Sequence, residues 1–173
     1  MTRLKKVPAL PFAIVCLLVL GTAAAFAQKQ LRAAERARPE IKVLLAGTVE
    51  HGNERLSLEK AEAVKSGELL DWTITSVNDG NAPAREYKAV GQIPRGTQFV
   101  AGSATADGSA TVVYSIDDGK SFSAQPTIEE KQTDGSVKRV AAPAAMYTHL
   151  RYEWSDPLSQ GGKLNASYKV RVN

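Results

Sequence analysis

The sequence predicts an all-β fold: a β-sandwich of two antiparallel sheets, preceded by an N-terminal signal helix. Three observations carry this expectation. After Glu40, apolar and polar residues alternate, the period of strands that bury one face and solvate the other. The stretches NDGNAP, IPRG, ADGS, DDGK, TDGS and SQGG recur between the apolar runs, and their Asn, Asp and Gly residues suit the positive φ of hairpin turns. No segment after Glu40 sustains a helical period.

Strands are expected near residues 41–49, 56–63, 69–77, 85–92, 97–101, 110–116, 127–133 with 136–140, 149–154 and 163–172. Leu70, Trp72 and Ile74 share one face of LDWTITSV, opposite Asp71, Thr73 and Thr75. In TVVYSI the inward set is Val112, Tyr114 and Ile116. HLRYEWS turns Leu150, Tyr152 and Trp154 inward and His149, Arg151, Glu153 and Ser155 outward. LNASYKVRVN alternates most regularly, with Leu164, Ala166, Tyr168, Val170 and Val172 on the apolar side. Trp72, Trp154 and Tyr168 are therefore expected in the core rather than on a ligand platform.

The N-terminus reads differently. MTRLKK is basic, VPALPFAIVCLLVLGTAAAFA is almost wholly apolar, and the run ends in Ala25-Phe26-Ala27. A basic region, an apolar region and a small-x-small site in that order describe a secretory signal peptide, with cleavage after Ala27 and a mature chain beginning at Gln28. Retention of the same run as a membrane anchor is the second reading, weakened by Pro8, Pro11 and the Ala-rich end. Cys16 lies inside the apolar run, preceded by Ile14-Val15, which is not the setting of a lipidated cysteine. It is the one cysteine, so residues 28–173 have no disulfide and no thiolate chemistry. A domain of that size buries roughly 70% of its unfolded surface and can rest on its core alone.

The chain carries 22 Lys and Arg against 18 Asp and Glu. Arg3, Lys5 and Lys6 leave with the signal, so the mature chain is nearly balanced. The remaining positive bias sits in residues 28–40, read as a basic spacer ahead of a domain at 41–173. No broad basic face is implied, and nucleic acid is not an expected partner. The membrane is engaged only through the signal segment, and only if that segment stays attached.

Ser115-Ile116-Asp117-Asp118-Gly119-Lys120-Ser121-Phe122 has the form Ser-x-Asp-x-Gly-x-Ser-aromatic. It resembles the Asp-box, a hairpin motif of sialidases and related propellers, in which Asp, Gly and hydroxyl residues stabilise a turn and take no part in catalysis. A propeller needs more blades than this chain can supply. The expectation is a tight turn at 117–120, with Gly119 at positive φ and Asp117 or Asp118 accepting amide hydrogen bonds.

GELLDWTITSVNDGNAPAREYKAVGQIPRGTQFVAGSA resembles the bacterial conserved repeat domain, catalogued as domain of unknown function 11. The matching features are the strand at Trp72 to Val77, Asn78 to Gly80, the small residues Ala82 to Ala84, Pro94 to Gly96, and Phe99-Val100. The resemblance continues to Trp154 and the last strand, and so covers about residues 56–173. It departs from the family at Val90-Gly91-Gln92, where an Asp commonly stands before the Pro. The resemblance implies an immunoglobulin-like sandwich in an exported, surface or envelope protein.

The residues of a type able to carry chemistry do not converge in the sequence. Asp117-Asp118 and Glu129-Glu130 are adjacent pairs whose members point to opposite faces of a strand, which makes neither a chelate nor an acid–base couple. NDGN at 78–81 is the nearest approach to a calcium loop and reads more naturally as a turn. His51 and His149 are the only histidines, and no spacing supports a zinc pair. No catalytic residue, cofactor or metal is therefore expected. The leading expectation is a non-enzymatic exported protein of the periplasm, envelope or medium, serving as a structural or interaction module. Its partner would be an envelope protein or a glycan. The alternative is a carbohydrate- or peptide-binding module. A small hydrolase comes third, for want of an acid, base and nucleophile set.

Overall fold

Alternation in the sequence becomes pleated strand through about half of the described residues. The computed structural model describes residues 37–51, 54–61 and 63–173. The expected signal helix and the cleavage positions Ala25, Ala27 and Gln28 lie outside the described residues. Eleven strands occur among them: β1 (Ile41–His51), β2 (Glu54–Ser57), β3 (Leu69–Asn78), β4 (Lys88–Gln92), β5 (Thr97–Phe99), β6 (Thr105–Ala106), β7 (Ala110–Ser115), β8 (Thr127–Lys131), β9 (Val137–Ala141), β10 (His149–Trp154) and β11 (Lys163–Val172). One 3-10 turn, Ala144–Met146, interrupts them.

Every strand pair is antiparallel. The larger sheet has the order β2-β1-β3-β11-β5, with β6 also on β11. The smaller has the order β4-β10-β7, and β8-β9 is a separate hairpin. The two sheets face each other in a sandwich-like, all-β body formed by residues Pro39–Asn173. Burial alternates strictly along β10 and over most of β3 and β11, so that Leu70, Ile74, Leu150, Tyr152, Trp154, Ala166, Tyr168 and Val170 meet between the sheets.

Hydroxyls lock the layers together. Tyr152, on the smaller sheet, donates to the Ser167 carbonyl at 2.6 Å, and Tyr168, on the larger sheet, donates to the Gln92 carbonyl at 2.6 Å. A buried phenol that lacked such an acceptor would carry its full desolvation cost. Burial raises both phenols well above the ordinary tyrosine range, Tyr168 to about 12. Gly91 allows the close approach: a β-carbon there would stand 2.6 Å from Cε1 of Tyr168.

Several expected strands are shorter than the sequence pattern suggested. The strand expected at 56–63 ends at Ser57, whose carbonyl accepts the N–H groups of Lys60 and Ala61 in a turn. The strand expected from residue 85 begins at Lys88, because Glu86 takes a left-handed φ of 52°. The strand expected to reach residue 101 stops at Phe99, where Ser103 folds back onto the Val100 carbonyl. The two residues of β6 were too short a pattern to foresee.

Candidate functional site

Two places hold the residues of interest: the Asp117 hairpin and the open edge at β1.

In the hairpin every motif position is used. Ser115 Oγ donates to Asp117 Oδ1 at 2.7 Å and accepts the Gly119 N–H at 2.9 Å. The other side of the Asp117 carboxylate takes the Ser121 hydroxyl at 2.6 Å, while Oδ1 also takes the Ser121 N–H at 2.9 Å. Hydrogen bonds from Ser115 and Ser121 therefore hold the carboxyl far below the usual carboxylate range. Asp118 and Gly119 both adopt left-handed backbone, with φ of 59° and 79°. Asp118 turns its N–H to Thr148 Oγ1 at 3.1 Å. The chain then returns to pair with β7 through reciprocal Tyr114–Ser123 hydrogen bonds, a single bridge rather than a strand. Phe122 closes the motif beneath Arg151, whose guanidinium carbon lies 4.1 Å from the ring centroid. A carboxylate so occupied is a poor proton donor at neutral pH, and its geometry holds a turn.

The other acids behave similarly. Glu129 pairs with Arg139 at 3.8 Å on the exposed β8–β9 hairpin. Asn78, first in the NDGN stretch, is fully buried. Its amide donates to the carbonyls of Ala82 and Leu158 and its oxygen accepts the N–H groups of Glu40 and Gly80. It fastens the start of β1, its own turn and the loop before β11. No cluster of three or more His, Cys, Asp or Glu residues arranged to hold a metal occurs among the described residues.

Trp154 is buried and donates its indole N–H to the Asp107 carbonyl at 2.8 Å. Its ring stacks on Tyr87, with centroids 5.5 Å apart. Tyr168 is buried between the sheets. Trp72 is half-buried: it packs against the core on one side and lines a surface groove on the other.

That groove runs beside β1. It encloses about 580 Å³ and is lined by Leu44, Leu45, Gly47, Leu58, Glu59 and Trp72, among others. The register of β1 on β3, with Gly47 opposite Trp72 and Leu45 opposite Ile74, puts the odd residues of β1 on the inward face of the larger sheet. Yet Val43 is 58% exposed and Leu45 52%, and on the outer face Leu44 is 65% exposed. The cause is the layer count. The smaller sheet covers β3, β11 and β5, where Tyr87 reaches Ser76, Tyr168 reaches Gln92 and Phe99 meets Tyr114. The first half of β1 projects beyond it. Gly47 keeps the groove open, since a β-carbon there would collide with Leu58 and lie 2.9 Å from Cζ3 of Trp72.

The sequence pattern did not single out this edge. A signal was present: Val43-Leu44-Leu45 is apolar at three consecutive positions, where a strand with one solvated face would alternate. No protein-family model, curated protein or solved structure matches the chain.

Proposed function

We propose that the chain is an exported, non-enzymatic structural or interaction module of the bacterial envelope, with an immunoglobulin-like sandwich of the conserved-repeat type as its body. Its contact surface is the open edge of β1. The carrying observation is the exposure of Val43, Leu44 and Leu45 on a strand edge that β2 covers only from Thr48 to His51. Exposed apolar strand edges recruit other strands, and monomeric proteins commonly blunt theirs with charge, proline or bulges. From Val43 to Val49 this strand carries no charge and no proline. The leader and its Ala25-Phe26-Ala27 site support export.

A protein strand suits this surface better than a glycan does. The exposed large apolar side chains among the described residues are Val43, Leu44, Leu45, Val64, Val90, Val137 and Met146, and none is an aromatic platform for a sugar ring. The polar hollow on the outer face, near Asp107 and Asn165, satisfies its own hydrogen bonds.

A photo-crosslinking residue at Leu44, expressed in intact cells, tests this reading. Envelope fractions should yield chain beginning at Gln28 and crosslinked to protein, while the same probe at Val137 should give little adduct. Chain confined to the cytoplasm, or equal labelling at both positions, would refute the proposal.

A further inference from the structure

Four Asp-Gly bonds occur in the chain: Asp79-Gly80, Asp107-Gly108, Asp118-Gly119 and Asp134-Gly135. Such a pair is chemically labile. Glycine has no side chain to shield its amide, so its nitrogen can attack Cγ of the preceding Asp. The new N–Cγ bond closes a five-membered succinimide, and the carboxyl hydroxyl leaves as water with the amide proton. Water then opens the ring at either carbonyl. One opening restores Asp. The other leaves isoaspartate, whose main chain runs through Cβ and Cγ. Water is the only co-reactant. In a folded chain the step waits until both groups are released from their native partners.

Three of these bonds are tied to the sandwich. Asp107 Oδ2 accepts the backbone N–H and the side-chain amide of Asn165, at 2.9 and 2.8 Å, and the Asp107 carbonyl accepts the indole N–H of buried Trp154. Oγ of buried Ser115 holds the Gly119 N–H at 2.9 Å, and Thr148 holds the Asp118 N–H. Oδ1 of buried Asn78 holds the Gly80 N–H at 3.1 Å, and the Asp79 carboxylate pairs with Lys42 at 2.7 Å. At each of the three, a succinimide forms only after contacts with the body of the domain have broken.

Asp134-Gly135 is tied only to its own turn. Asp134 Oδ1 accepts the Ser136 N–H at 2.9 Å and the Ser136 hydroxyl at 2.6 Å, and the Gly135 N–H donates to the Gln132 carbonyl at 3.0 Å. Residues 133–139 are exposed, and among the described residues β8 and β9 pair only with each other. A two-stranded ribbon of this kind opens without disturbing the layers that restrain the other three bonds. Opening also frees the carboxyl from the Ser136 hydrogen bonds that favour its charged form, and the neutral form is the one that loses water. We propose that Asp134 is the residue at which this chain isomerises to isoaspartate, selected from the four by the hairpin that carries it. The product cannot return to the native turn. Its main chain has gained a carbon, and its carboxylate has moved to Cα, away from the place where Ser136 met Oδ1. The register that sets Lys131 opposite Val137 is lost with the turn. Aged chain therefore carries an open β8–β9 ribbon on an intact sandwich.

The test incubates the full chain in non-ionic detergent for weeks at neutral pH and physiological temperature, then maps isoaspartate in its peptides by electron-transfer mass spectrometry. Folded chain should accumulate isoaspartate at Asp134 on the order of tenfold faster than at Asp79, Asp107 or Asp118. In guanidinium chloride all four should convert at similar rates, because the restraints are gone. Equal conversion of the four in folded chain overturns the proposal. So does the same excess at Asp134 in guanidinium chloride, since neighbouring residues rather than the fold would then be selecting the site. Isomerised chain, separated by chromatography, should lose the amide protection that remains at Ile128–Glu130 and keep that of β10 and β11. Unchanged protection in the hairpin would overturn the opening of the ribbon.

Discussion

At the scale of single residues, Asp117 is an acid held by the hydrogen bonds of its own turn. Its oxygens hold Ser115 and Ser121, and those hydrogen bonds favour the charged form. A carboxyl whose folded pKa lies below its unfolded value stabilises the fold at any pH above the unfolded value, about 4. That stabilisation fades as pH falls towards the folded value. Urea-unfolding midpoints should therefore drop between about pH 5 and 2 by more in the wild type than in Asp117→Asn. The difference between the two curves isolates Asp117 from Asp134 and Glu153, which are also held low, by Ser136 and Arg151 respectively. Parallel curves would show that the turn does not depend on the carboxylate's charge. Trp154 gives the complementary case of an apolar anchor. Its removal empties a site packed by Tyr87 and Tyr152 and strands the Asp107 carbonyl. Trp154→Ala should cost roughly 3–5 kcal/mol in chemical denaturation, and a wild-type midpoint would contradict its core role.

Among the elements, the β8–β9 hairpin stands apart. Its base is tied by the Ala142 N–H to the Pro126 carbonyl at 2.8 Å, with both residues buried. Beyond that base most of its residues are exposed, and among the described residues it joins no other sheet. Two-stranded ribbons are marginally stable on their own. Amide exchange of Ile128–Glu130 should therefore run on the order of a thousandfold faster than that of β10 and β11, since local opening there exposes little apolar surface. Equal protection would reveal packing of the hairpin that its exposure belies. β1 is the contrasting element: its second half is sealed at Val49, while its first half projects with apolar residues on both faces.

Across the whole molecule, local chemistry determined a good deal. Alternation defined β3, β10 and β11 nearly to the residue, because a strand with one buried face must repeat every second position. The Ser-x-Asp-x-Gly-x-Ser-Phe spacing was legible for the same reason: a turn satisfies its own hydrogen bonds within a few residues, as Ser115, Asp117 and Ser121 do. The left-handed Glu86 and Asp118 were not legible, since no local pattern demands positive φ of a non-glycine residue. Nor was the role of Asn78, whose amide joins segments up to 80 residues distant and whose sequence reads as a plain turn. Only the tertiary structure decided which apolar residues are covered. Val43 and Leu45 lie in the same pattern as Val49, and on the same face. Val49 is sealed within the core cluster and the other two are bare, because the packed core reaches the second half of β1 and stops short of the first. How far one layer extends over another depends on strand order and strand length together, and neither is contained in the local alternation that makes each strand.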